Sequence, residues 1–97
     1  MENVEISRSD KSDKRLQAKY ANKTVHFGAK GGSTFIDHGD TRLKENWEKR
    51  HIVRENWQDY TTAGALSKHL LWNKSTISAS IKDLNTKQKK YKFTMKG

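Results

Sequence analysis

Few side chains in this chain are available to build a hydrophobic core, and this scarcity limits what it can fold into. Of its 97 residues, 32% are hydrophobic and 32% are charged, and none is cysteine. Neither a disulfide nor a thiolate zinc site can therefore add the stability that a small core lacks. We expect a single domain with a modest core, which gains stability from a partner.

The two ends of the chain differ in composition from its middle. Residues 1–13 are polar and show no apolar periodicity, which predicts a flexible N-terminal arm. Residues 86–97 contain five lysines and no acidic residue, and so carry +5 of the net charge of +9. They predict a basic C-terminal tail that is not needed for folding. Between them, residues 14–85 are expected to form a compact α+β domain. Alternating apolar residues at 91–95 would also suit an edge strand.

Three short β-rich runs in the first half of the domain predict a three-stranded antiparallel meander. The first run lies at residues 16–20, and an Asn-Lys turn separates it from the second at 24–27. A glycine-rich stretch then precedes the third run at 33–36.

Three short helices are expected to follow the meander. Asp40 is a suitable N-cap for a helix over residues 41–54, and Thr62 is one for a helix over 63–72. Ser75 caps a third helix, in which isoleucine and leucine repeat at helical spacing.

The last two of these helices have the outline of a helix-turn-helix, since a short break joins them and the second is basic. Ser80 stands where DNA-reading examples place an aliphatic residue, so an ordinary packed hairpin is favoured. If residues 62–84 do bind nucleic acid, the side chains that face it are expected to come from the second helix and the tail. They are Lys74, Ser75, Thr76, Ser78, Lys82, Lys87, Lys89, Lys90, Lys92 and Lys96.

The glycines between Phe27 and Thr34 resemble a phosphate-binding loop in composition. A nucleotide loop, however, needs Gly-Lys-Ser/Thr running directly into a helix. Here Lys30 precedes the glycines and a β-rich run follows them, so a turn between strands is favoured.

Neither a metal site nor catalysis is predicted. His26, Asp37, His38 and Asp40 could gather if two strands bring them together, but no His-x-x-x-His pair or cysteine set fixes a geometry. No serine sits in a nucleophile elbow, and a pocket of about 300 Å³ is hard to build from so small a core. We therefore expect a protein that is not an enzyme, with no cofactor and no small-molecule substrate.

Three tryptophans, Trp47, Trp57 and Trp72, occur among arginines and lysines. They could stack on single-stranded bases or anchor a protein interface. A domain with few other large apolar residues is more often expected to use its tryptophans as core.

The sequence pI of about 9.9 indicates an acidic counterpart, such as nucleic acid or an acidic protein surface. No apolar run approaches the roughly 20 residues that span a bilayer, and the polar start lacks the centre of a signal peptide. A cytosol-like compartment is expected.

Three sequence motifs occur together in a specific order: HFG at residues 26–28, DHGD at 37–40 and LLWNK at 70–74. In this combination, residues 14–84 resemble a family of small basic proteins encoded by large nucleocytoplasmic double-stranded DNA viruses of algae and protists, chlorella-virus relatives among them. Many of those relatives have proline where this chain has Ser75, a change that keeps a helix start. The resemblance brings no catalytic or ligand residue with it.

The resemblance implies a viral origin and a place in the virion, with the host cytoplasm or nucleus as the site of assembly. On this hypothesis the protein is a minor structural protein, associated with the capsid or core, that contacts other virion proteins and binds DNA phosphates without specificity. Its arm and tail would supply the interface residues Arg8, Lys11, Arg15, Lys89, Lys90, Tyr91 and Phe93. Nucleic-acid binding by the tail and residues 62–84 is the alternative.

Overall fold

The computed structural model describes residues 1–29, 34–53 and 56–96 of the protein. Strands and helices in these ranges form a small α+β domain, the class that the sequence predicts. In chain order the elements are β1 (Glu2–Arg8), β2 (Lys14–Lys19), β3 (Thr24–Ala29), α1 (Phe35–His38), α2 (Thr41–His51), α3 (Ala63–Leu66), a π-helical turn (Ser67–Leu71), α4 (Ile77–Lys87) and β4 (Tyr91–Met95).

The four strands form one mixed sheet in the order β3-β2-β1-β4. Strands β1, β2 and β3 are antiparallel neighbours, whereas β4 lies parallel to β1 with Val4 opposite Phe93. The predicted hairpin at residues 16–27 is confirmed as β2 and β3. The antiparallel meander exists, but it is built from β1, β2 and β3.

The prediction of a flexible arm is wrong for residues 2–8, because they form β1 in the interior of the sheet. Val4 and Ile6 are fully buried, while Asn3 and Arg8 are exposed. Strands on both sides satisfy the backbone of β1. The segment is thus stabilised by long-range pairing that its own composition does not indicate.

The prediction of a third strand at residues 33–36 is also wrong, since Phe35–His38 is helical. Asp37 accepts a hydrogen bond from the backbone N–H of Thr34 at 2.7 Å, which satisfies a donor at the start of the helix. Gly39 ends the helix with φ of 64° and donates its N–H to the Phe35 carbonyl. The glycine turn predicted just before it falls on residues 30–33, outside the described ranges.

The other helices begin close to where the sequence places them. Asp40 caps α2 by accepting from the N–H groups of Arg42 and Leu43, and Thr62 caps α3. The N-cap of α4 is Thr76 and not Ser75. Helix α2 ends at residue 51, short of the predicted 54.

The helices α3 and α4 and the π-helical turn pack against one face of the sheet and enclose the core. Leu66, Leu70, Leu71 and Leu84 from the helices are fully buried. The sheet supplies its inward side chains, among them Phe27 and Phe93. None of the helices in the described ranges is long and apolar enough to cross a membrane.

The outer edge of β4 is closed by two side-chain amides. Asn85 donates to the carbonyl of Phe93 and accepts from its N–H, both at 2.9 Å. Gln88 makes the same pair of bonds to Tyr91, at 2.7 and 2.8 Å. These amides occupy the backbone groups that a further strand would use. The prediction of an edge strand at residues 91–95 is therefore confirmed. The prediction that residues 86–97 form a tail that is not needed for folding is wrong for these five residues.

Candidate functional site

Exposed lysines surround the side of the molecule formed by α4 and β4. We call this surface the basic edge and define it by Lys74, Lys82, Lys89, Lys90, Lys92 and Lys96. Lys74 precedes α4, Lys82 lies in its middle, and Lys89 and Lys90 occupy the turn between α4 and β4. Lys92 and Lys96 belong to β4 and its end. The packing of α4 beside β4 thus brings residues that are far apart in sequence to one edge of the molecule, with Lys92 on the face of the sheet that points away from the helices.

The exposed face of α4 is polar and built from short side chains. Ser78, Ala79 and Lys82 are exposed, whereas Ser80, Ile81 and Leu84 point inward and are buried. Thr76 uses its hydroxyl to accept from the Ala79 N–H at 3.1 Å, so this side chain is occupied as a cap. Ser80 is fully buried, and its hydroxyl accepts a hydrogen bond from the Lys74 N–H at 3.0 Å. This bond connects the segment before α4 to the helix.

Lys87 and Asp83 form the main ion pair on α4. Lys87 Nζ lies 2.9 Å from Asp83 Oδ2, and Asn73 donates to the same oxygen at 2.7 Å. The hydrogen bond from Asn73 and the neighbouring ammonium of Lys87 lower the pKa of Asp83. This lysine is therefore largely neutralised, and we leave it out of the basic edge.

Four of the residues expected to form a protein interface are exposed. Lys89 and Lys90 belong to the basic edge, whereas Arg8 and Lys11 lie at the opposite end of β1. Arg15 is half-buried and engaged with Asp37.

The prediction of an interface role is wrong for the two aromatic residues of β4. Tyr91 is 8% exposed and Phe93 is 1% exposed, and both belong to the core. Their side chains alternate with those of Lys92 and Thr94, so the aromatic pair faces the helices and the polar pair faces away. These rings stabilise the fold and are not available to a partner.

The three tryptophans stack on one another, as expected of core residues. The ring of Trp47 lies parallel to those of Trp72 and Trp57, with centroids 5.1 and 6.2 Å apart. His51 stacks on Trp47 at 4.3 Å, and Lys68 covers Trp57 at 5.1 Å. Trp72 is buried, and Trp47 and Trp57 are half-buried. Their faces are largely occupied by one another, which leaves little room for stacked bases.

A cavity of about 960 Å³ opens between the end of β3, α2 and the turn that follows α3. Its volume contradicts the expectation that so small a core cannot form a pocket. Of the described residues, the cationic side chains of Lys14, Lys49 and Arg50 line it, together with His38 and His51. Among the described residues that line it, none is Asp or Glu.

The four histidines form separate hydrogen bonds. His26 Nδ1 lies 2.7 Å from Ser9 Oγ, and His51 Nδ1 lies 2.8 Å from the Trp47 carbonyl. His38 Nδ1 accepts from the Asp40 N–H at 2.8 Å. Within residues 1–29, 34–53 and 56–96, no three His, Asp or Glu side chains converge as metal ligands do.

His69 is buried beside the tryptophans. Its Nε2 lies 2.7 Å from the carbonyl oxygen of Trp57, and its Nδ1 is enclosed without a partner in the described ranges. Burial lowers the pKa of His69, and the ammonium groups of Lys68 and Lys87 add to this effect. The neutral imidazole donates from Nε2 and holds the segment before α3 in place.

The sequence did not indicate the cavity. Part of the reason is that the sequence predicted a third strand in place of α1. In the structure, Thr34 and His38 at the two ends of α1 line the cavity. The spacing Thr-x-x-Asp at residues 34–37 is a capping signal that could have revealed this helix.

Comparison with known proteins adds one match. Residues 4–51, which run from β1 to the end of α2, match the model of a family of unknown function (DUF5754). No curated protein and no solved structure matches the chain at a significant level.

Proposed function

We propose that the protein binds nucleic acid through the phosphate backbone, and that the basic edge is its contact surface. The observation that carries the proposal is that six exposed lysines lie on α4, on β4 and beside the ends of these two elements. Only Lys96 has a carboxylate within 4.0 Å in the described ranges, and that distance, to Glu5, is itself 4.0 Å. A surface with unneutralised cations attracts a polyanion and releases its counterions on binding.

The exposed face of α4 supports a close approach of the phosphate backbone. Ser78 and Ala79 are short, so Lys82 projects beyond them, and Ser75 adds a hydroxyl at the start of the helix. Phosphate contacts position a protein on nucleic acid without reading its sequence. The binding is accordingly sequence-indifferent, and the role is one of binding and not of catalysis.

The salt dependence of binding tests this proposal. Six phosphate contacts give a slope of about −5 in log affinity against log salt concentration. Lys82→Gln and Lys92→Gln should each reduce this slope by about 1 for any duplex sequence. Lys49→Gln removes the same charge from α2, outside the basic edge, and should leave the slope unchanged. If all three variants behave alike, the basic edge is not the contact surface.

A selection from a random duplex pool tests the sequence indifference. We expect no enriched motif. A single motif that is lost in Lys74→Ala would show that α4 reads bases, and it would overturn the backbone-only proposal.

A second proposal is a structural role in the particle of a large DNA virus, as a minor protein of the capsid or core. It rests on the resemblance of residues 14–84 to proteins of such viruses and on an apolar spot after α2. Ile52 is 58% exposed and Val53 is 80% exposed, beside a small cavity of about 250 Å³ that Ile52 and Trp57 line. Exposed aliphatic residues beside a cavity that an aromatic side chain also lines suit a protein partner.

Mass spectrometry of purified virions tests the second proposal. The protein should stay with the particle after detergent and nuclease treatment if protein contacts hold it. Its release by nuclease alone would leave only the nucleic-acid role.

A further inference from the structure

The cavity between β3, α2 and the turn after α3 is both concave and lined by cationic side chains, whereas the basic edge is an exposed surface. It is concave, about 960 Å³ in volume, and lies at the β3 side of the sheet, whereas the basic edge lies at the β4 side. Three strand spacings of about 4.8 Å separate β3 from β4, although Lys74 of the basic edge lies only two residues beyond Trp72, which lines the cavity. Variants of Lys82 and Lys92 on the basic edge and of Arg50 in the cavity can therefore test the two surfaces separately.

The charge of the cavity selects an anion. Lys14, Lys49 and Arg50 line it, and no carboxylate among the described residues offsets them there. Lys49 and Arg50 also stabilise the C-terminus of α2, where cations are favourable. Lys14 comes from β2 and has no such role. Its convergence with the two α2 cations is a feature of the cavity itself.

His38 has an unpaired ring nitrogen and lies in the wall of the cavity. Its Nδ1 accepts from the Asp40 N–H, so the proton of the neutral ring resides on Nε2. This Nε2–H is enclosed and has no acceptor within the described ranges. A buried donor without a partner is costly, so a shift of the His38 ring that brings this N–H to the cavity surface is favoured when a ligand supplies an acceptor oxygen.

The remaining wall suits a planar, partly apolar body. Trp47 and Trp72 line the cavity beside Leu43, and Asn46 and Ser67 add polar residues to the lining. A ligand that combines phosphate with such a body matches the lining better than phosphate alone.

We infer that this cavity binds a nucleoside phosphate. Lys14, Lys49 and Arg50 hold the phosphates, and His38 Nε2–H donates to an oxygen of the ligand. The nucleoside packs along the edges of Trp47 and Trp72. This site is separate from the proposed nucleic-acid surface and does not depend on it.

Titration of the full chain with ADP, followed by the indole N–H signals in NMR spectra, tests the inference. The signals of Trp47 and Trp72 should shift in a saturable manner, while Trp57, which does not line the cavity, should shift far less. Adenosine and pyrophosphate should each bind at least tenfold more weakly than ADP. Equal binding of pyrophosphate and ADP would overturn the nucleoside assignment.

Matched substitutions on α2 localise the binding. Arg50→Ala should weaken ADP affinity at least tenfold, which is about the effect of losing one charge-assisted hydrogen bond. Arg42→Ala removes an exposed arginine of the same helix that does not line the cavity, and it should change nothing. Far-ultraviolet circular dichroism checks that both variants are folded.

The test of ADP binding at the cavity can be distinguished from the test of DNA binding at the basic edge. Arg50→Ala should bind DNA normally, and Lys82→Gln should bind ADP normally. The absence of any saturable shift with millimolar ADP, or equal losses in Arg50→Ala and Arg42→Ala, would overturn the inference whatever the DNA result.

Discussion

Arg15 holds Asp37 through two parallel hydrogen bonds, from Nη1 to Oδ2 at 2.7 Å and from Nη2 to Oδ1 at 2.8 Å. The pair joins β2 to α1, and Arg15 also donates to the hydroxyl of Thr34 at 3.3 Å. The guanidinium of Arg15 keeps the pKa of the Asp37 carboxyl far below its usual range. Asp37 is thus both the cap of α1 and its attachment to the sheet.

Asp37→Asn should lower the free energy of unfolding at pH 7 by about 1 kcal/mol, because the pair is partly exposed and solvent screens it. The depressed pKa means that the stabilisation is present above the unfolded-state pKa of about 4 and is lost as the pH falls below it. Urea unfolding at pH 7 and pH 3 measures both effects. Asp13→Asn, in the exposed turn between β1 and β2, is the control and should change stability little.

Gly28→Ala should destabilise the protein by about 2–4 kcal/mol, since left-handed geometry and overpacking both contribute. Gly28 has φ of 78°, and an added Cβ would lie 2.7 Å from Leu71 Cδ1 and 3.2 Å from Arg15 Cβ. Gly39→Ala is the matched variant, because Gly39 has φ of 64° but open space around it. It should cost only about 1 kcal/mol. Equal losses in thermal unfolding would contradict the close packing at Gly28.

Asn85→Ala should cost about 1–3 kcal/mol, because it leaves the N–H and carbonyl of Phe93 without a partner. It also exposes backbone groups at an edge, so association should rise with concentration in sedimentation experiments. Ser78→Ala, on the exposed face of the same helix, should change stability by less than about 0.5 kcal/mol. A monomeric Asn85→Ala protein with normal stability would show that the amide does not protect the edge.

Truncation after Lys90 should abolish the cooperative thermal transition. Loss of a buried Phe side chain alone costs about 3–5 kcal/mol, and a whole domain is stable by only about 5–15 kcal/mol. The truncation removes Phe93 and Tyr91 together. Replacing Lys92 and Lys96 by Gln instead should keep the fold while removing two charges. A truncated chain that still melts cooperatively would contradict the core position of β4.

The stability of the protein should decrease as the pH falls below about 6.5, the ordinary pKa of histidine. Burial lowers the pKa of His69, so the unfolded chain binds a proton that the folded protein does not. The stabilisation is complete above this pH and is lost progressively below it. Chemical unfolding between pH 7.5 and 5 should show the slope, His69→Gln should reduce it, and His26→Gln should retain it. An unchanged slope in His69→Gln would assign the effect to other groups.

Local signals predicted the starts of α2 and α3 well, whereas α1 was predicted as a strand. Asp40 and Thr62 cap α2 and α3 because their side chains bond to nearby backbone N–H groups, and this chemistry can be read from neighbouring residues. The apolar repeat in α4 is equally local. The π-helical turn is different, because it accommodates consecutive buried residues at Leu70 and Leu71 against the sheet, and only the packed structure requires it.

Strand β1 and the cavity depend on contacts between residues far apart in sequence, and the sequence therefore did not predict them. Strand β1 carries only two buried side chains, Val4 and Ile6, and its residues gain a strand conformation from β2 on one side and β4 on the other. The six lysines of the basic edge were all proposed as phosphate contacts from the sequence. The cavity was not, because its residues come from β2, β3, α1, α2 and the turn after α3, whose relative positions no local pattern indicates.

The parallel pairing of β1 with β4 determines when the protein can fold during its synthesis. Val4 pairs opposite Phe93, which the ribosome adds 89 positions later. Until then the nascent chain holds β1 with one side unpaired and the apolar face of the sheet incompletely covered. Contacts of such long sequence separation slow folding, and they leave the growing chain dependent on chaperones or on rapid completion.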